Sequence, residues 1–592
     1  MKTRRVLRPL LGCLLLGALV VPVPSSGAAQ GTGDLERAAC TLADDELLRI
    51  WRGWRADRGG DLIVVPREPN YLGRGFPHAG PWDYLQEVPM LWYGPGFIKA
   101  RGSVSKPATL ADIAPTQGAL LNYSFPAPDG KVLRTALEPK AQRKDPPKLI
   151  VTLVWDAGGR DVLDNHPRSW PYLESLIEDG TWFDNATVGS AQSDTPPAHA
   201  TIGTGAYPLT NGVLDQRMRI GGDMVTPWGN GPITMIVPTL ADLYDRSLDN
   251  KPIVGGLASL GAHLGALSHG SMWGGGDRDI AVNRENTGDE GDEGVVWNLR
   301  ETLKPFFQFP RYVNKLPTFA DYLKEVDALD GSMDGAWRGH DFQTDPKMRF
   351  GWDTPARIWQ QTKLITTVIK RERFGKDNVP DLLFLNYKAI DNVGHGYSIN
   401  SIEMQDTVEV QDENLKILVS YLNKKVGQGE WAMVVTADHG HQLDPAVSGA
   451  YPIDNTVLEE KLNERFNGGI QEIRPTQIWL RASAANDAAE ISRYIMGLSE
   501  SDIPSKDVAS GSATMFQAVF PAALMPKLPC MRDALKKAGE SLHPERDAAV
   551  EEDRTTQRSG GSDGTTDPGT TDPGTTDPGT TDPGDDDGNP FN

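Results

Sequence analysis

Three apolar runs in this 592-residue chain each stop at residues of a type that can ligate metal ions. LIVTLVW, residues 149–155, ends at Asp156. DLLFLNY, residues 381–387, is followed by KAIDNVGHG with Asp391 and His395. WAMVVT, residues 431–436, runs into ADHGH with Asp438 and His439. Each pair alone is weakly specific, since an aspartate after a strand is commonly a helix cap and a solitary histidine a satisfied core residue. Three in the same relation to parallel strands are harder to explain as caps, because a parallel sheet brings its carboxyl ends to one edge. Mixed carboxylate and imidazole donors suit zinc, with manganese as the alternative. A hydroxyl, Thr195, stands between the first two runs, in SAQSDTPPAHATIGTGAYP. Prolines suit the first helical turn, so Thr195 is expected at a helix N-terminus, where free amides and the helix dipole would favour an anionic group. Two divalent ions ~4 Å apart form the clamp used for in-line phosphoryl displacement, and contact with one lowers the pKa of an otherwise poor hydroxyl nucleophile. Ser193 is the alternative nucleophile, with Thr195 then a structural cap.

The elements that must position these residues are strands and helices in alternation. Seven apolar or β-branched residues at 149–155 without polar alternation read as a strand buried on both faces. Beyond Gly212, helical and strand-like segments alternate to about residue 440, with helices expected at about 353–374 and 401–425. That pattern implies an α/β fold, a mainly parallel central sheet with helices on both faces, in a single large domain. Upstream, a helix is expected at about Asp44 to Arg55, with short strands at 61–65 and 88–93. Between those strands lies PNYLGRGFPHAGPWDY, a Gly- and Pro-rich loop carrying His78. Residues 126–148, with five prolines and many charges, read as a linker, and the acidic, glycine-rich 270–300 stretch as a solvated insertion.

The net charge of −21 argues against a nucleic-acid-binding surface, which needs a basic footprint. It does not exclude small anionic substrates, because bound metal ions override the global sign locally. MKTRR, an apolar run to about Val23 and SSGAAQ read as a signal peptide cleaved after Ala28 or Ala29, hence a secreted, extracellular or periplasmic protein. The run is short for a membrane span and broken by Pro9, so no transmembrane anchor is expected beyond it. After cleavage only Cys40 and Cys530 remain, a pair that suggests a disulfide in an exported chain, two free thiols being the alternative. From 550 the chain is acidic and repeats TTDPG four times, with almost nothing to bury, and reads as a disordered spacer or stalk.

The motifs WDAGGRD, TPPAHATIGTGAYP, DNVGHG and TADHG together resemble the alkaline phosphatase superfamily, in its type I phosphodiesterase/nucleotide pyrophosphatase branch and related bacterial phosphatases. The resemblance runs over about residues 147–445 in the usual order. It implies that Thr195 is the nucleophile, that Asp156, Thr195, Asp438 and His439 hold one zinc, and that Asp391, His395 and a further histidine hold the other. In the family that histidine lies far downstream, in a loop like GHGSPY-YD-HVP-LFYGPG followed by a segment like DIAPT. Here the matching text is at the front, PHAGPWDYLQEVPMLWYGPG and then LADIAPTQGALL, as in a circular permutation. The third ligand is therefore assigned to His78, with His543 and His441 as alternatives. On this reading the chain divides into a signal peptide (1–29), a permuted segment completing the core (30–125), a linker (126–148), the catalytic domain (149–549) and the tail (550–592). A Cys40–Cys530 bridge would tie the two ends near the permutation point.

Family members acting on monoesters carry a Lys and an Arg spaced S-x-K-x-R. The comparable stretch here, Ala258 to His263, has neither. Gly212-Val-Leu-Asp-Gln-Arg-Met218 resembles a family G-I-I-D-N-K-M, with Gln216 in place of an Asn that donates to a phosphoryl oxygen. A diester carries one negative charge and a monoester nearly two, so losing both cations favours diesters or nucleotide pyrophosphates. The alternatives are a phosphomonoesterase of the same fold and, more remotely, a secreted binding protein without catalysis. A sulfatase would need C/S-x-P-x-R, which is not visible. The expected partner is a small phosphate ester. Oligomeric state is not legible.

Overall fold

The computed structural model describes residues 31–143, 145–267, 269–286, 295–342, 344–345 and 354–542. The expected signal peptide, the acidic stretch 287–294, His543 and the TTDPG tail lie outside the described residues. Among the described residues the central sheet has nine strands. They are β1 (Met90–Tyr93), β2 (Gly102–Thr109), β3 (Leu149–Trp155), β4 (Thr181–Thr187), β5 (Val254–Leu257), β6 (Ile280–Asn286), β7 (Val295–Asn298), β8 (Asp381–Tyr387) and β9 (Trp431–Thr436). Their spatial order is β7-β6-β5-β8-β3-β9-β1-β4-β2. The run from β6 to β9 is parallel throughout. β1 is antiparallel to both its neighbours, and β7 is antiparallel to β6 at the edge. The fold is thus the expected α/β type with a mainly parallel sheet.

Burial on both faces explains the apolar runs. Leu149, Val151, Leu153 and Trp155 of β3 enter one core while Ile150 and Val154 enter the other. Each such side chain contributes roughly 1.5–3 kcal/mol, so no polar alternation survives in the strand. The helix α1 (Thr195–Thr204) covers one face through Ala198, Ala200 and Ile202. Opposite lie α2 (Ala356–Glu372) and α4 (Ile402–Leu422), the latter burying Met404, Val408, Leu415, Leu418 and Leu422. The short α3 (Ala389–Tyr397) follows β8.

A second, antiparallel sheet was not expected. Leu62–Pro66 lies between Gln477–Leu480 and Phe516–Pro521, with Ile470–Ile473 at the edge. One face of the strand 62–66 (Ile63, Val65) packs with Met525 and Met531, the other (Leu62, Val64) with Leu458 and Ile491. The front of the chain therefore enters both sheets, through β1 and through residues 62–66. Cys40 and Cys530 are joined as a disulfide, with Cα atoms 5.6 Å apart across 490 residues of sequence. Residues 126–148 hold no helix or strand among those described, yet Leu133, Ala136 and Leu137 are buried. No helix among the described residues is long and apolar enough to cross a membrane.

Candidate metal centre

The sheet order fixes the site. β8, β3 and β9 are adjacent and parallel, so Asp156, Asp391 at the start of α3, and Asp438 emerge side by side. β4 runs in the same direction, and the loop after it delivers Thr195 to the first position of α1. β1 runs the other way, with Met90 opposite Thr436, so the end at which it begins lies at the same edge. The loop entering β1 brings His78 in by that route. Of the seven residues His78, Asp156, Thr195, Asp391, His395, Asp438 and His439, all but His395 are buried.

Overlapping groups of donor atoms share this edge, one around Asp156 and Asp438 and one around Asp391. Asp156, Asp438 and His439 present ligand atoms within 4.8 Å of one another, as do His78, Asp391 and His439, and Asp391, His395 and His441. His78 Nε2 is 3.5 Å from Asp391 Oδ1 and His395 Nε2 is 3.3 Å from the same oxygen. His439 Nε2 lies 3.3 Å from Asp438 Oδ2 and 3.8 Å from Asp156 Oδ1. The Nδ1 atoms of the three histidines meet carbonyl oxygens: His78 that of Ser193 at 2.9 Å, His439 that of Gly440 at 2.8 Å, and His395 that of Gly75. A carbonyl accepts only from Nδ1–H, which leaves Nε2 as the lone-pair atom facing the site. The rings of His78 and His439 stack with centroids 3.7 Å apart.

The residues present fit a pair of cations. Asp391 Oδ1, Asp438 Oδ2 and His439 Nε2 are buried and make no hydrogen bond, a costly state for polar atoms. Burial and then the neighbouring Asp156 push the Asp438 carboxyl well above its usual range. Burial pushes the His78 imidazole down to about 3, keeping it neutral and ligand-competent. Packed carboxylates together with imidazoles are a donor set of zinc or manganese.

Several groups at the site carried no sequence signal. Lys388 Nζ donates to Asp156 Oδ1 at 2.7 Å and to Thr195 Oγ1 at 3.2 Å, and lies 2.8 Å from Asp391 Oδ2. Burial opposes its charge, but Asp156, Asp391 and Asp438 outweigh that and hold the ammonium. Asn386 Nδ2 donates to Asp156 Oδ2 at 2.8 Å, and His263 Nε2 lies 3.1 Å from that oxygen, so the pair orients the carboxylate from behind. His199, one turn into α1, meets the Thr195 carbonyl through Nδ1 at 2.8 Å.

The expected anion site of helix amides is not there. Pro196 and Pro197 have no N–H, and the Thr195 N–H donates to its own cap, Asp194 Oδ1, at 2.8 Å. The Ala198 N–H closes the first turn onto the Asp194 carbonyl. Gln216 also donates to Asp194 Oδ1, at 2.8 Å, and reaches the cleft beside Thr195. Arg474, from the turn between two strands of the second sheet, donates to Asp215 Oδ1 at 2.8 Å and approaches Asp194 at 3.6 Å. These groups, with Lys388, Asp391 and His395, line a cleft of about 480 Å³. His441 is buried close to His395, with its Nε2 packed on Gly394, where a Cβ would fall only 2.5 Å away.

A family model described as type I phosphodiesterase / nucleotide pyrophosphatase matches residues 150–525. The chain is 22% identical over 369 residues to a calcium-transporting ATPase of Myroides odoratus, covering 55% of this chain and 66% of that protein. It is 22% identical over 327 residues to the alkaline phosphatase PhoV of Synechococcus elongatus, covering 50% and 59%. The chain thus spans less than two thirds of the length of either relative. The crystal structure of wild-type alkaline phosphatase PafA aligns with a TM-score of 0.45 at 16% identity, over 63% of this chain and 84% of that one.

Proposed function

This chain belongs to the type I phosphodiesterase/nucleotide pyrophosphatase family of the alkaline phosphatase superfamily, and on that footing we propose that it is an exported, two-metal phosphoesterase working through a phospho-threonine intermediate. The observation that carries this reading is the Thr195 hydroxyl at a helix start, held by Lys388, which also contacts one carboxylate of each donor set.

Asp156, Asp438 and His439, with Thr195, would hold one ion, and Asp391, His395 and His78 the other. Bound there, two divalent ions supply Lewis acidity to the attacking and leaving oxygens. Thr195 gives up its hydroxyl proton to solvent and its oxygen attacks phosphorus as the bond to the leaving alkoxide breaks. The Lys388 ammonium donates to the deprotonated Oγ1. The departing alkoxide takes a proton from solvent and leaves as the alcohol. A water then attacks phosphorus, the bond to Oγ1 breaks, and one of the water's protons passes to Oγ1 to restore the Thr195 hydroxyl. Asn386 and His263 keep Asp156 in one orientation through both steps.

The choice of His78 over His441 rests on its Nε2 facing Asp391, whereas His441 Nε2 faces Gly394. His78 comes from a segment ahead of the family match, which begins at residue 150; that supports reading the chain order as permuted. Zinc is favoured by the imidazole-rich donors. Export is supported by the basic, apolar, small-residue start of the chain.

Thr195→Ala, loaded with zinc, should lose about a thousandfold or more in turnover of nitrophenyl esters while retaining wild-type metal content. A near-normal rate would discard the mechanism.

A further inference from the structure

The sequence marks 270–300 as a solvated insertion, yet Asp279 within it is buried. Asp277 and Asp279 stand in the loop that enters β6, close to Asp245 in the last turn of the helix Leu240–Ser247. One oxygen from each of these three carboxylates lies within 4.8 Å of the other two. β6 is parallel to the strands that carry the catalytic ligands. Those ligands follow strand ends, whereas Asp277 and Asp279 precede a strand start. The cluster therefore sits at the opposite edge of the sheet from Asp156, Asp391 and Asp438.

Acidic side chains often gather without a ligand, but Asp245 is only 5% exposed and its Oδ1 is buried without a hydrogen-bond partner. Burial and then the like charges of Asp277 and Asp242 work against its ionised form. The neighbouring charges do not relieve it. Asp242 is engaged by His269 at 2.6 Å, Lys251 contacts Asp249 at 3.8 Å, and Arg246 lies over the Trp273 ring at 5.9 Å. Asn250 ties the two segments together. Its N–H donates to the Asp245 carbonyl and its Nδ2 to the Gly275 carbonyl, both at 3.0 Å, and its Oδ1 is also buried without a partner.

We propose that Asp245, Asp277 and Asp279 hold a calcium ion that pins the helix Leu240–Ser247 to the start of β6. The three ligands offer only oxygen, which suits a hard cation rather than zinc. Oxygens bound at ~2.4 Å, the calcium distance, stand at most ~4.8 Å apart, so the three can share one ion. Asp277 is exposed, so water completes the shell, and calcium accepts such an irregular shell where magnesium demands an octahedron. The site is independent of the phosphoesterase reading, because no part of it reaches the catalytic edge.

The full chain, freed of calcium and loaded with zinc, is titrated calorimetrically with calcium chloride and melted with and without it, beside Asp245→Asn and Asp277→Asn. The wild type should bind with a Kd on the order of 10⁻⁴–10⁻³ M, and about 10 mM calcium should raise its Tm by at least about 2 °C. Each variant should bind calcium at least about tenfold more weakly and lose most of the Tm shift, with zinc content and nitrophenyl ester turnover unchanged. Asp277 is exposed, so its variant leaves the core intact and reports on the site even where Asp245→Asn fails to fold. No binding heat and no Tm shift in the wild type overturns the site. So does wild-type calcium affinity in either folded variant, which would put the ion on another acidic segment. A full Tm shift with magnesium in all three chains would reduce the effect to charge screening and overturn it as well. Loss of zinc or of turnover from Asp277→Asn would contradict its separation from the catalytic edge.

Discussion

Asp156, Asp391 and Asp438 were legible in the sequence because each follows an apolar run, and a buried strand has to end before a carboxylate can be tolerated. Lys388 sits in the same KAIDNVGHG stretch, but a lysine next to a strand end ordinarily reaches solvent, and only the three-dimensional meeting of β8 with β3 turns it inward. The missing amide donors of α1 are written in Pro196 and Pro197 themselves; what they exclude outweighs the usual preference of helix starts for anions. The most discriminating residue is the third imidazole. His78→Ala should lower bound zinc from two equivalents toward one and cut hydrolysis by at least about tenfold, while His441→Ala should keep both ions. Elemental analysis after desalting decides it, and the reverse pattern would transfer the ligand role to His441.

Among the elements, β1 does most to make the site possible. A four-residue strand from the front of the chain, with Leu91 and Trp92 fully buried, is inserted between β9 and β4 and pairs antiparallel to both. Its reversed direction is what delivers His78 to the carboxyl edge. Apolar patterning predicted the strand; its neighbours follow only from pairing, which a single sequence does not encode locally. The same packing locks the loop after β9: a Cβ on Gly440 would fall 2.1 Å from the Tyr84 carbonyl oxygen and 3.2 Å from the Leu85 Cα. Gly440→Ala must therefore push the Asp438–His439 loop away from the segment that leads into β1. The expected cost is about 1–3 kcal/mol of stability, seen as a lowered Tm, together with loss of bound metal. A variant with wild-type Tm and metal content would show that this contact does not position the loop.

At the scale of the molecule, two sheets meet at the cleft, the parallel one supplying the ligands and the antiparallel one Arg474. The second sheet escaped the sequence because its strands are scattered, 62–66 at one end and 470–521 at the other, and joined only by long-range pairing. Acid groups buried elsewhere should give the fold a pH signature. Burial, then Asp277 and Asp242, push the Asp245 carboxyl up to about 7 from 3.8. The folded state thus holds a proton that the unfolded chain releases, so this contribution to stability is complete below pH 3.8 and is lost as pH rises toward about 7. Asp245→Asn, which stays neutral, should melt higher than the wild type near pH 7 by roughly 2–4 °C for each kcal/mol recovered, with the two curves converging below about pH 4. Parallel curves, measured with chelator present, would contradict the shift. The central claim is the covalent one, and it is tested most directly by acid-quenching the zinc-loaded protein during turnover of a nitrophenyl phosphate and locating the trapped phosphate by peptide mass spectrometry. The account predicts phosphate on Thr195; turnover with phosphate on Ser193, or on no residue at all, would contradict it.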